Sequence, residues 1–387
     1  MAEKCVREGH PWVYSNSVRE LNREGQVGEL AILFDRKDRF LAVGLFDPDS
    51  PIRVRILHVG KAQAIDQDWW RHRATEALAR RKDLFPAQTT GFRYINGESD
   101  GWPGLVLDRY ENTLVLKIYS AVWLPRLREI ATLLGTRERL VLRLSRNLQR
   151  CASEVFDLQD GQILQGDSVL EPVVFSENGW RFEADVLRGQ KTGFFLDQRE
   201  NRREIQKLAA GRQVLNLFCY TGGFSVYAAG GGAESVCGVD ISQHALAGAR
   251  RNFALNSGHA AVARCRQQSV QADAFIWLQE VSGRQFDLIV LDPPSLAKRE
   301  SERPQAEGAY ARLIAASLAL LRKNGILLAA SCSAHVSAPD FFLLARAAAQ
   351  GARRKYEEIK TTRHPEDHPA SFPEAEYLKG IYLRMLD

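Results

Sequence analysis

The residues best suited to chemistry lie in the second half of the chain, each at the end of an apolar run. Leu215-Asn216-Leu217-Phe218-Cys219-Tyr220-Thr221-Gly222-Gly223-Phe224 sets two glycines between a β-prone run and a helix-prone one. Glycines there permit positive φ and close backbone approach to a ligand. A turn of this kind at the carboxyl end of the first strand of an open parallel sheet is where such folds bind cofactors. The spacing is not GxGxxG, which disfavours a pyrophosphate-gripping turn and a nicotinamide-dependent dehydrogenase. Cys237-Gly238-Val239-Asp240 then ends in an acid placed to accept hydrogen bonds from ribose hydroxyls. Asp273 follows in Ala272-Asp273-Ala274-Phe275, and Asp292 in Leu291-Asp292-Pro293-Pro294-Ser295. Any one of these acids is explained as a helix cap. Taken in order at successive strand ends, they describe a cofactor site.

The cysteines stand at 5, 151, 219, 237, 265 and 332. None forms CxxC and no Cys/His cluster has zinc-ligand spacing, so neither a metal site nor a disulfide framework is expected. Cys332, in Ser331-Cys332-Ser333, comes directly after an apolar run and should face the same cleft as Asp292. The plain reading of such a residue is a small buried hydrophobe. Cys219 is second by position, but its neighbours suit packing beneath a cofactor.

The elements that hold these residues alternate from about residue 195. Helices are expected at Arg199–Leu208, Phe224–Ala229, Ala245–Leu255, Ala272–Leu278, Tyr310–Leu321 and Pro339–Ala349. Strands are expected at Val214–Phe218, Ser235–Asp240, Leu288–Leu291 and Ile326–Ser331. Repeated βα units imply a parallel sheet covered on both faces. Upstream, β-prone runs at Leu30–Phe34, Phe40–Phe46 and Ile52–Leu57 predict a small sheet or barrel. A helix from Asp68 to Leu84 follows and stops before Pro86. Residues 92–175 look mixed, and Asn178-Gly179 between apolar runs predicts a tight hairpin turn. The division expected is 1–62, 63–175 and 176–387, an α/β chain with a small β-rich domain and a small α+β domain ahead of a Rossmann-like one.

Composition excludes rather than selects. The 387 residues are 45% hydrophobic and 26% charged, an ordinary globular balance that does not suggest disorder. No apolar run approaches bilayer length and MAEKCVREGHPW has no secretory core, so a cytoplasmic protein without membrane attachment is expected. A net charge of +5 is compatible with nucleic acid without demanding it. The densest basic run, Arg71-His72-Arg73 with Arg80-Arg81-Lys82, reads either as a solvated helix face or as an RNA-binding one.

LNLFCYTGGF, GVDIS, ADAF and LDPPS resemble the ordered motifs of class I S-adenosylmethionine-dependent methyltransferases. More narrowly, the chain resembles the bacterial ribosomal RNA large-subunit methyltransferase I family, which makes 5-methylcytosine in 23S rRNA. That likeness adds REGHPWVYSNSV, NGESDGWPGLVLDRY (96–110), GQKTGFFLDQREN (189–201), SCS (331–333) and HPEDHPASFPEAEYLKG (364–380), and runs nearly end to end. It implies an N-terminal PUA domain, a central α+β domain and a methyltransferase domain. Only eight residues precede Gly9-His10-Pro11-Trp12, so the expectation is a PUA-like domain shortened at its start.

Carried over, the resemblance implies S-adenosylmethionine as cofactor. Gln198 and the loop Phe218, Cys219, Tyr220, Gly222 and Gly223 would shape its pocket. Asp240 would hold the ribose, Asp273 the adenine amine, and Asp292 the methionine end and target base. It also gives Cys332 a role. Cytosine C5 is a poor nucleophile, and a thiolate added to C6 makes it enamine-like. His335, His364 and His368 are candidates for the base that removes the C5 proton. The partner implied is 23S rRNA or its large-subunit precursor; a homodimer is compatible with the sequence but not argued by it. Two other functions stay open: methylation of a base nitrogen in RNA, which needs no cysteine, and an inactive RNA-binding or assembly protein on the same fold.

Overall fold

The computed structural model describes residues 2–134, 138–169, 171–281, 283 and 285–387. Two compact units emerge. One holds residues 2–178 with 184–196 and 366–372; the other holds 179–183, 197–365 and 373–387. The break falls at the Asn178-Gly179 turn, where both residues take the positive φ that such turns require (50° and 86°).

The first unit contains two sheets. Trp12–Tyr14, Leu30–Phe34, Phe40–Phe46 and Ile52–Val59 form an antiparallel sheet in the order first, fourth, third, second. A helix at Ala2–Arg7, not expected from the sequence, seats Val6 in its core beside Val13, Leu41, Phe46 and Val54. The second sheet runs Gly91–Asn96, Leu105–Tyr110, Thr113–Ile118, Arg139–Leu144 and Ile163–Gln165 in sequential order. Trp69, Trp70, Trp102 and Trp123 fill its core, with ring centroids 4.7 Å apart for Trp69–Trp70 and 4.9 Å for Trp70–Trp102.

The basic run is mostly the solvated face expected, since Arg71, His72, Arg80 and Lys82 are exposed, but Arg81 departs from it. The helix is Gln67–Ala79, capped by the Asp66 carboxylate, and ends short of Leu84. The chain leaves it because Arg81 turns inward: its side chain is 1% exposed and forms a two-pronged pair with the fully buried Asp100, at 2.7 and 2.9 Å. Arg80 joins the same carboxylate, Arg71 pairs with Asp68, and Arg73 bonds Glu76 while lying over the Trp69 ring. Arg81 alone of the run is buried; the other pairs reach solvent.

The second unit is built on one seven-stranded sheet: β1 (Gln213–Leu217), β2 (Ser235–Asp240), β3 (Arg266–Gln271), β4 (Phe286–Leu291), β5 (Leu321–Ser331), β6 (Tyr356–Thr362) and β7 (Lys379–Met385). The order is 3-2-1-4-5-7-6. Strands β1 to β5 are parallel, as expected; β7 is antiparallel to both β5 and β6, a pair absent from the sequence reading. Strand β3, Arg-Gln-Gln-Ser-Val-Gln, also escaped notice because it is a mostly exposed edge without an apolar pattern. Helices Gly223–Gly230, Gln243–Leu255, Ala274–Glu280, Arg303–Ala319 and Ala338–Gly351 cover the sheet. This is the Rossmann-like α/β fold expected. The helix read as Tyr310–Leu321 starts earlier, at Arg303 with Pro304 in its first turn, and ends earlier, at Ala319, because β5 already begins at Leu321.

Asp100 gives the first unit a measurable keystone. Asp100→Ala leaves Arg81 buried without its carboxylate, which should cost about 3–5 kcal/mol in urea unfolding. A loss below about 1 kcal/mol would show that Arg81 relaxes into water, as surface pairs do.

Candidate functional site

Sheet register brings the predicted residues to one edge. Val239, Leu217, Leu291 and Ala329 stand in a single row across β2, β1, β4 and β5. The residues after the first three are Asp240, Phe218 and Asp292. Gln271, at the end of β3, pairs with Asp240, and Asp273 stands two positions on. Cys332 directly follows the end of β5. Five adjacent parallel strands thus deliver their carboxyl-end residues to the same rim, where open α/β sheets bind ligands.

The loop after β1 is held in an unusual shape. Phe218, Tyr220 and Gly222 have φ of 56°, 46° and 75°. Non-glycine residues in that region cost of order 1–3 kcal/mol each and persist only where neighbours impose them. Here the Tyr220 N–H donates to Asp240 Oδ2 at 2.8 Å, while Asp240 Oδ1 accepts from the Ser242 N–H at 2.9 Å. A Cβ on Gly222 would lie 3.0 Å from the Cβ of Ala249 at a φ of 75°, so any side chain there would be strained. Asp273 caps the helix Ala274–Glu280 through one oxygen, Oδ1. Phe218 and Phe275 meet edge to face at 6.2 Å.

These groups fit a nucleoside. Two half-buried carboxylates, Asp240 and Asp273, retain acceptor capacity for ribose hydroxyls and an amine. Among the described residues, the buried Thr221 hydroxyl in the same loop has no hydrogen-bond partner. Cys219 is buried, and burial, reinforced by Asp240, pushes its thiol well above the ordinary range. That suits packing and not attack.

At the other end of the row, Gln198 belongs to Asp292. Its Nε2 donates to Asp292 Oδ1 at 2.9 Å, and its Oε1 accepts from Asn201 Nδ2 at 2.6 Å. Asn201 Oδ1 accepts in turn from the hydroxyls of Thr362 (2.9 Å) and Tyr382 (3.1 Å). A buried polar chain therefore sets the Asp292 carboxylate. Tyr310 accepts a hydrogen bond from Ser331 at 2.9 Å. Burial raises its hydroxyl pKa, and Cys332 and Asp292 both push it the same way, so one phenol senses both residues.

Cys332 is half-buried. Opposite Ser331, across the β5–β7 ladder, stands Lys379. Its ammonium donates to the Ser333 carbonyl and, at 3.0 Å, to that of Tyr377. Burial pushes it down to about 8, against the opposing pull of Cys332. The three histidines are otherwise engaged. His335 pairs with Glu300 at 3.4 Å. His364 Nε2 accepts from the Tyr377 and Leu378 amides, so the nitrogen a base would use is occupied. His368 is buried beside Asp367 in the first unit.

Asn201, Thr221, Tyr310 and Lys379 were not singled out from sequence. A lysine opening the otherwise apolar run Lys379-Gly380-Ile381-Tyr382-Leu383 was the one visible signal among them.

Comparison with known proteins agrees with this geometry. The model of the S-adenosylmethionine-dependent methyltransferase family matches residues 158–384, and that of PUA-like domains matches residues 1–58. A ribosomal RNA large subunit methyltransferase of Deinococcus radiodurans is 52% identical over 99% of this chain and 95% of its own length. A ribosomal RNA large subunit methyltransferase I of Shewanella denitrificans is 35% identical over 99% and 97%. Among solved structures, a candidate methyltransferase in complex with SAH has the same fold, with a TM-score of 0.82 at 24% identity over 99% of this chain and 98% of that one. The chain belongs to the ribosomal RNA large subunit methyltransferase I family of S-adenosylmethionine-dependent methyltransferases, with a PUA-like domain at its N-terminus.

Proposed function

We propose that this protein methylates C5 of a cytosine in 23S rRNA, or in its large-subunit precursor, with Cys332 as the nucleophile. The observation that carries the reading is the pairing of Asp292 and Cys332 at the carboxyl ends of the adjacent strands β4 and β5, with Tyr310 sensing both. The substrate class comes from the names of the relatives. S-adenosylmethionine, when bound, supplies an electrophilic methyl group. Asp240 takes the ribose hydroxyls, Asp273 the adenine amine, and the Phe218–Gly223 loop with Cys219, Tyr220 and Gly222 packs around the nucleoside.

The protein's own residues do the rest. The Cys332 thiolate adds to C6 of the cytosine, and the C5–C6 electron pair moves onto C5. Once C5 carries the methyl group, a general base takes the C5 proton, and the electron pair of that C–H bond re-forms the C5–C6 double bond and expels the thiolate from C6. Asp292, its Oδ1 held by Gln198, acts here in protonated form and donates its proton to the N3 edge of the base as negative charge develops there. Segments 1–62, 63–175 and 176–387 act in this reading as a PUA-like RNA-binding domain, a central α+β domain and the methyltransferase domain. Among the described residues no helix is long and apolar enough to cross a membrane, and we assign the enzyme to the cytoplasm.

Asp240→Ala should weaken S-adenosylmethionine binding by about 1.5–3 kcal/mol, roughly 10- to 150-fold, by removing charge-assisted hydrogen bonds. Calorimetry reads this directly, and unchanged affinity would remove Asp240 from the site.

The mechanism is tested by trapping. RNA carrying 5-fluorocytosine at the target replaces the departing proton with fluorine, so the methylated adduct cannot resolve. Wild-type protein with S-adenosylmethionine should give a denaturant-resistant protein–RNA band. Cys332→Ala should give none while still binding cofactor. Ordinary 5-methylcytosine formation by Cys332→Ala would sink the mechanism, and a methylated base nitrogen would point to direct transfer instead.

A further inference from the structure

We propose that Lys379 holds Cys332 as a thiolate, and so acts as a positioning residue for the nucleophile. This rests on the assignment of Cys332 made above. The argument begins with topology. Strand β7 inserts antiparallel between β5 and β6, and its first residue, Lys379, pairs with Ser331, immediately before Cys332. The side chain is buried, 1% exposed. Two of its three N–H donors go to the carbonyls of Ser333 and Tyr377, on the far side of Cys332 and two residues back on its own chain. Among the described residues it makes no ion pair with a carboxylate.

A buried ammonium met only by carbonyls is costly. The anion that offsets it is the Cys332 thiolate. Coulomb coupling is mutual: a thiolate that favours the charged lysine is favoured by it equally. The other charged groups near Lys379 are Arg363, which opposes its charge, and Glu376, which supports it; the two pair with each other at 2.8 Å. Tyr310 and Asp292 approach from the helix and from β4, and neither supplies positive charge. Lys379, bonded to the carbonyl of the residue after Cys332, is thus a cation coupled to the nucleophile.

The sign of the pH dependence follows. Burial lowers Lys379 to about 8, so it carries its charge below that pH and loses it above. Its help to the thiolate is therefore present at neutral pH, where an ordinary thiol at about 8.5 is mostly protonated. A purely structural lysine would satisfy the two carbonyls and leave thiol reactivity unchanged.

The test is the alkylation rate of Cys332 by iodoacetamide, followed by peptide mass spectrometry on the full-length protein from about pH 5 to 10. Wild-type protein should show a midpoint below the ordinary thiol value of about 8.5. Lys379→Met should raise it by about one unit or more, and Lys379→Arg should keep it low. Methyl transfer by Lys379→Met should fall about tenfold near neutral pH and recover above about pH 9, with the KM for S-adenosylmethionine unchanged. A wild-type midpoint at or above the ordinary value overturns the proposal without any variant, even if Lys379→Met fails to fold. A folded Lys379→Met with the wild-type profile overturns it as well. Should the profile shift as expected while Cys332→Ala still forms 5-methylcytosine, the thiolate pairing stands and the assignment of the nucleophile fails.

Discussion

Neighbouring strands in a sheet cannot slip by one residue without turning every side chain to the opposite face. In the second unit that constraint is severe, because the row Val239, Leu217, Leu291, Ala329 and Ile381 is buried to 1% exposure or less. Packing on both faces fixes the register, and the register fixes which residue emerges first at each strand end. Asp240, Phe218 and Asp292 are aligned by the apolar residues behind them. The insertion of β7 beside β5 extends the same logic to Lys379, which no local feature of residues 364–380 would bring to Ser331.

The acids at this rim show why structural and functional readings of one residue need not compete. A carboxylate offers about four lone-pair sites. Asp273 is a helix cap, as the plain reading holds, yet both cap bonds fall on Oδ1. Asp240 holds the strained loop through Tyr220 and retains acceptor sites on each oxygen. The hydrogen bond that shapes the loop is thus made by the carboxylate proposed for the ribose, and in that proposal shape and ligand affinity are linked through one group. Asp292 differs, since its orientation depends on Gln198, Asn201, Thr362 and Tyr382, which are distant in sequence.

That contrast explains what the sequence disclosed. Strand ends with glycine or acid signatures were legible because an apolar run followed by Gly-Gly or Asp-Pro-Pro carries its own punctuation. Helix spans in the second unit were close for the same reason, apart from the early start at Arg303. Strand β3 was not legible, since an exposed edge of Arg, Gln and Ser has no apolar period to read. The hydrogen bond from Gln198 to Asp292 and the placement of Lys379 were not legible either, because they depend on pairings across the sheet or across more than ninety residues of chain. The basic run at 71–82 was legible except at Arg81: Arg71, His72, Arg80 and Lys82 are exposed, as a solvated face implies. Charge density along a helix says nothing of which guanidinium turns inward, and Arg81 turned toward Asp100.

Three of the buried cations among the described residues, Arg81, Arg93 and Lys379, are told apart by their partners. Arg81 and Arg93 each meet a buried carboxylate with two donors, Asp100 and Asp108 respectively. Planar forks matched to carboxylates hold their geometry and leave little field for anything else. Lys379 is a compact charge met by two carbonyl dipoles, which lower its cost without cancelling its charge. In the proposal made above, the field that remains acts on the Cys332 thiol, with which Lys379 is electrostatically coupled. An arginine with its own carboxylate could anchor the same backbone, but it would not leave its charge available to Cys332.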